Sequence, residues 1–299
     1  MAIVKNPLAE TSASRSKPAP AHPRDGMARA AAQLTWAAAA LALAAALAGL
    51  LIDGIYTGDA STAEMFRGYD LVTAVVAVPL LAIASRVAQQ QGSVLAKLVI
   101  TSLVTYLVYT YALYLFGTGF NDLFLVHAAL LATGLGALIL TVATIDVAEV
   151  SDRLGPRTRV RSVAAILSAL AVGLGAMWVY SAVDNLVTGD VPVGSALVET
   201  ETIVHVGMAL DLTLLVPLYA VAAVLLWRRA RWGFVMAAIA LFAGILHQVS
   251  YIVAMPFQVA ADVAGAVSYD PAEPIIVLLY VVGSALLVRG MSRGSEKRA

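Results

Sequence analysis

At 299 residues, 61 % hydrophobic and 13 % charged, with a mean hydropathy of +0.86, the chain is far more apolar than a soluble domain, in which about 45–50 % of residues are apolar. It contains no cysteine, which excludes disulfides, thiolate metal sites, c-type haem attachment and cysteine nucleophiles. The formal net charge is zero and no nucleic-acid partner is expected, yet the charges are strongly segregated along the chain.

Residues 1–30 are polar and rich in Pro, Ala and Ser, with Lys5, Arg15, Lys17, Arg24 and Arg29 and no apolar run, so they read as a disordered cytoplasmic tail. The first apolar segment begins near Leu34. That is too late for a secretory signal, whose apolar core falls within roughly the first 15–30 residues, so the first helix is expected to be retained.

Eight apolar segments follow: Leu34–Ile52, Tyr69–Ser85, Leu95–Phe116, Asp122–Ile145, Ser162–Val183, Ile203–Trp227, Trp232–Met255 and Ile275–Val288. Most are near the ~20 residues that cross a ~30 Å hydrocarbon core as a helix, and none alternates like a barrel strand. The expected fold is all-α, a polytopic transmembrane helical bundle of eight helices over residues 31–290, with a basic cytoplasmic tail at 291–299. Trp36, Tyr69, Trp178, Tyr180, Trp227 and Trp232 stand near segment ends, as an interfacial aromatic belt would. Tyr111 and Tyr114 fit the same belt.

All of the 19 Lys and Arg residues except Arg67 fall in the tails and alternate connections, while Asp53, Asp59, Asp122, Asp184, Glu199, Asp270 and Glu273 collect in the others. The positive-inside rule then places both termini in the cytoplasm and the chain in the inner (cytoplasmic) membrane. No internal repeat is strong. The second and eighth segments both follow a Tyr-Asp pair, in GYDLVTAVVAVP and SYDPAEPIIVLLY, a match too short to argue from. The connection from Pro256 to Pro274 is long enough to fold over the outer mouth of the bundle.

Polar residues inside the spans gather toward the outer side. His127, His205 and His247 lie in the outer parts of the fourth, sixth and seventh segments. Asp211 lies about eight residues, or roughly 12 Å, into the sixth. An ionisable group near the bilayer middle costs roughly 2.5–3.5 kcal/mol to insert, so Asp211 is the first candidate for a functional residue. Tyr106 and Tyr109 on the third segment, Asn121 before the fourth, Gln248 beside His247, and Arg67 with Asp70 at the head of the second complete a candidate ligand-binding set. The inner half is nearly all Ala, Leu, Val and Gly.

Three readings stay open. The first is an outward-facing polar cavity that binds, and transports or senses, a small polar or cationic solute or protons, with Asp211 as its central acid. The second is an intramembrane enzyme in which His127, His205 and His247 hold a metal or haem, since three imidazoles leave a coordination position open; the chain has no HExxH and no His pair at i, i+4 to support it. The third is a scaffold subunit without a ligand, in which Asp211 is packing glue. There is no GxxxxGK[ST] or GxSxG motif, and no Lys lies deep in a segment to carry a retinal Schiff base.

The stretches FRGYDLVTAVVAVPLLA, YALYLFGTGFNDLFLVHAAL and ALDLTLLVPLYAVAAVLLWRRARWGFVMA resemble segments of an uncharacterised family of bacterial multi-pass integral membrane proteins. The likeness rests on Arg67, Gly68 and Asp70, on Asn121, and on Asp211 and Pro217 followed by Arg228 and Arg229. It implies an architecture and no chemistry.

Overall fold

The computed structural model describes residues 23–289 apart from 156, 193 and 195. The expected tails therefore lie outside the described residues, except that residues 23–30 are already helical. Eight apolar helices form where the sequence places them: α1 (Pro23–Leu51), α2 (Ala60–Gln91), α3 (Val94–Phe116), α4 (Phe124–Thr144), then, after the short α5 (Val147–Leu154), α6 (Val160–Thr188), α7 (Glu201–Trp227), α8 (Arg231–Ala260) and α9 (Ala272–Val288). Among the described residues seven of them are long and apolar enough to cross a membrane, and α9 is a shorter apolar helix of 17 residues. The architecture is that of an integral membrane protein.

Side chains and turn chemistry set the helix limits. Asp59 caps α2 by accepting from the Ser61 amide at 2.8 Å and from the Ser61 hydroxyl at 2.6 Å, and the hydroxyl bond, then the amide bond, lower its carboxyl below the usual range. Gly92, at φ 60°, ends α2 in the left-handed conformation that a glycine adopts without strain. Ser93 then caps α3, so these two helices are antiparallel neighbours. Asn121 accepts from the Leu123 amide at 3.0 Å ahead of α4. Asp146 and Thr200 cap α5 and α7 in the same manner. Successive helices alternate in direction, giving the bundle an acidic end, where Asp59, Thr200-Glu201 and Glu273 open helices, and a basic end at Arg86, Arg153 and Arg228.

The long helices sort into two sets of four with α5 between them. Within each set the third helix packs against the second and the fourth, and the first packs against the second and the fourth. The two third helices, α3 and α8, pack on each other at the centre. Over its most apolar stretch α3 is 78 % buried and α8 56 %, against 28 % for α4, α6 and α7. Each second helix also crosses to the other set, α2 to α8 and α7 to α3.

A backbone feature repeats with the packing. In α2 the residues Thr73–Ala77 form a π-turn just ahead of Val78-Pro79, and in α7 the residues Asp211–Leu215 form one just ahead of Val216-Pro217. A proline inside a helix has no N–H and its ring collides with the carbonyl four residues back. Widening the turn relieves that collision, and the preceding amide reaches one residue further, Val78 to Thr73 and Val216 to Asp211. The sequence match that stands out in the fold is thus the Val-Pro pair of α2 and α7, and not the Tyr-Asp pair of the second and eighth segments.

Two glycines differ in what they face. On α2, Gly68 lets the Ala254 backbone of α8 come so near that an added Cβ would stand 2.4 Å from the Ala254 Cα. On α7, Gly207 lies one residue closer to its proline than Gly68 does to its own, so it faces another side of its helix, and an added Cβ there would meet nothing within 4 Å. The first faces a closed contact and the second an open space.

Candidate functional site

The space beside Gly207 is a cavity of about 370 Å3 between α6, α7, α8 and α9, with α2 and α3 contributing Tyr69 and Tyr109. Asp211, the first residue of the α7 π-turn, is buried in its wall. The Tyr109 hydroxyl donates to one carboxylate oxygen at 2.6 Å and the Trp178 indole N–H to the other at 2.7 Å. Both donors are neutral. They fix the orientation of the carboxylate without cancelling its charge, and each oxygen keeps a lone pair free for a further donor.

Two more acids share the wall, Glu199 from the connection ahead of α7 and Glu273 from the first turn of α9. Glu273 accepts from the Gln248 amide. Burial, and then the nearby Asp211 charge, push the Glu199 carboxyl up to about 7. Among the described residues no Lys or Arg lines the cavity. The two salt bridges found among them, Arg67–Glu64 and Arg153–Glu149, lie elsewhere.

Aromatic side chains make up most of the remaining polar lining. Tyr219 and Tyr280 share a hydrogen bond of 2.8 Å below Asp211. The His247 ring stands edge-on to Tyr109 with centroids 4.5 Å apart, and its buried Nδ1 has no hydrogen-bond partner among the described residues. On the far side of the wall formed by Tyr109, Tyr219 and His247 is a void of about 20 Å3 that runs toward Ala240 and Leu218, room for a single water.

The acidic end is covered by the connection between α6 and α7. The Gln258 side chain accepts from the Val198 amide at 2.9 Å and donates to the Val198 and Ser61 carbonyls at 2.8 Å. The Tyr251 hydroxyl accepts from the Leu197 amide at 3.1 Å. Of the segment expected over this end, 256–274, the first residues continue α8 through Pro256 to Ala260 and Glu273 reaches the cavity, as do Gly194 and Glu199 of the α6–α7 connection.

The other set of helices has a buried carboxylate too. Asp70 accepts from the Tyr56 hydroxyl at 2.5 Å and contacts that of Tyr114 at 3.2 Å, and it is fully buried. Here rings fill the adjoining space. Phe66 stacks on Tyr114 at 3.8 Å, Tyr56 meets Phe66 edge-on at 5.3 Å, and His127 lies 5.2 Å from Tyr114 and 5.5 Å from Tyr111.

Of the residues singled out in the sequence, Asp211, Tyr109, His247 and Gln248 meet at the cavity. Tyr106 is one layer deeper, where Thr73, Tyr106 and Ser250 hydrogen-bond in series at 3.0 and 2.9 Å and tie α2, α3 and α8 together. Asp70 belongs to the filled set. Arg67 pairs with Glu64 on the same helix, and Asn121 caps α4. His127 is buried among rings, His205 is exposed and His247 is in the cavity wall. Among the described residues no three His, Asp or Glu side chains stand together as a metal-binding group, so these three histidines supply no donor set for a metal.

Tyr111, Tyr114 and Trp178 are not belt residues. Tyr111 and Tyr114 are buried on α3, and Trp178 turns inward to Asp211. Trp178, Glu199, Glu273, Tyr69, Tyr219 and Tyr280 are the lining residues that the sequence reading missed. The chain matches no family model, no curated protein and no solved structure.

Proposed function

We propose that this chain is an eight-span protein of the inner membrane with both termini cytoplasmic, and that its α6–α9 set binds a small cationic solute from the outer side for transport or sensing. The observation that supports the binding reading is the composition of the cavity wall, three carboxyl groups and no Lys or Arg among the described lining residues. In a low-dielectric surround such a wall favours a cation and repels an anion. The acidic end faces outward in this reading, which follows from the distribution of Lys and Arg. Glu199 and Glu273 then form the approach, and Asp211 is the floor acid.

The binding reading is tested on protein purified into lipid nanodiscs, by measuring thermal stabilisation with a panel of inorganic and organic cations. At least one cation stabilises the parent protein and fails to stabilise Asp211→Asn, whose fold is verified by monodisperse elution. If Asp211→Asn keeps the full cation response, Asp211 is not the binding acid. The absence of cysteine makes orientation simple to measure. In intact cells a membrane-impermeant maleimide labels Val267→Cys, and it labels Asp152→Cys only after lysis; the reverse pattern inverts the topology.

A further inference from the structure

Cations differ in what they ask of a site. A metal ion must replace its hydration shell with several oxygen or nitrogen ligands at short range, and no described group of acids and histidines offers that. The cavity is also far too large for one ion. At about 370 Å3 it falls in the ~300–1,000 Å3 range of small-molecule sites.

Its wall has two characters. Tyr69, Tyr109, Trp178, Tyr219, Tyr251 and Tyr280 bring six rings to one cavity, and Leu170, Leu174, Met177, Ile276 and Leu279 bring aliphatic surface. Ring faces attract a cation, the more so where water is excluded. Aliphatic walls need an apolar body to cover them. One hydrogen-bond acceptor completes the arrangement, the Asp211 carboxylate with lone pairs beyond those met by Tyr109 and Trp178.

We infer that the ligand is an organic ammonium that keeps at least one N–H, a protonated amine with an apolar body. An N–H group donates to Asp211, its charge lies among the rings, and its body covers the aliphatic wall. This assignment rests on the cation-binding reading above and narrows it to one chemical class.

The experiment uses full-length protein in nanodiscs and four probes: 2-phenylethylammonium, its N,N,N-trimethylated form, the neutral 2-phenylethanol, and sodium or magnesium chloride at matched ionic strength. Binding is followed by calorimetry and by the fluorescence change of Trp178, with Trp178→Phe as the control. The primary ammonium binds at least tenfold more tightly than the trimethylated and neutral probes. Asp211→Asn weakens it at least tenfold. Gly207→Leu, which adds a side chain where nothing stands within 4 Å, abolishes binding while leaving the carboxylates in place and the protein folded.

Equal binding of the primary and trimethylated probes overturns the N–H assignment, and equal binding of the neutral probe overturns the ammonium. If sodium or magnesium alone binds, and does so through Asp211, the organic class is wrong while the cation-binding reading stands. If no cation binds, both fall.

Discussion

Gly68 and Gly207 provide a matched pair of substitutions. At Gly68 an alanine Cβ would stand 2.4 Å from the Ala254 Cα and 2.8 Å from its Cβ and amide nitrogen, where nonbonded heavy atoms settle at about 3.5–4.0 Å. The atoms in the way are largely backbone, so α2 and α8 must separate, and overpacking of this kind costs about 1–3 kcal/mol. At Gly207 the same Cβ meets nothing within 4 Å. Both substitutions gain the roughly 0.8–1.0 kcal/mol by which alanine exceeds glycine inside a helix. That gain cancels in the comparison, leaving Gly68→Ala less stable than Gly207→Ala by about 1–3 kcal/mol. Reversible unfolding in mixed detergent and SDS micelles measures the difference. Two variants equal within about 0.5 kcal/mol would refute the claim that Gly68 faces a closed contact and Gly207 an open space.

Other substitutions probe the same packing. Tyr114→Phe removes the hydroxyl that donates to the Phe66 carbonyl at 2.8 Å and contacts Asp70, and should cost about 1–3 kcal/mol in the same assay because buried acceptors lose a partner. Gln258→Leu leaves the Val198 amide and carbonyl and the Ser61 carbonyl without this side chain, so hydrogen exchange at residues 196–200 should speed up while α3 stays protected. Glu199 carries a pH signature. Its carboxyl is raised from 4.5 to about 7 by burial and the Asp211 charge, so the folded protein holds a proton that the unfolded chain releases. Stability should therefore fall as pH rises from about 4.5 to about 7 and then level off, and Glu199→Gln should remove that part of the slope.

Much of the bundle was legible because hydropathy reports helices directly, and segment positions such as Leu95–Phe116 reappear as Val94–Phe116. Asp211 was legible because an acid in an apolar span stands out. What hydropathy does not report is which way a side chain at a given depth points or which helices meet. Trp178 stood near a segment end and read as interfacial, and only the packing of α6 on α7 turns its indole toward the acid. Tyr219 and Tyr280 lie on helices 61 residues apart in sequence, and nothing local marks them as partners. His127, His205 and His247 share a depth but not a face. Arg67, Asp70 and Asn121 have the chemistry of a binding mouth, yet each is met by its own surroundings, a helix-neighbour glutamate, two tyrosine hydroxyls and a cap.

The two buried acids stand in different surroundings. Both carboxylates lie on second helices, within about one turn of each other in register to a π-turn and a proline, and both accept from tyrosine hydroxyls. Around Asp70, Gly49 and Gly68 let helices close in. An added Cβ at Gly49 would fall 1.9 Å from an Asp70 oxygen, and Tyr56, Phe66, Tyr114 and His127 occupy what remains. Around Asp211, Gly207 faces open space, and the rings line that space without filling it. A chain that needed the acid only to hold helices together could have closed both sets alike. Insertion of an acid at this depth costs about 2.5–3.5 kcal/mol, and in the second set that cost is met beside a cavity that tight packing would have removed. The open set therefore sacrifices packing around a group already costly to bury, and that combination is what the binding reading of Asp211 rests on, whereas Asp70 is enclosed by rings.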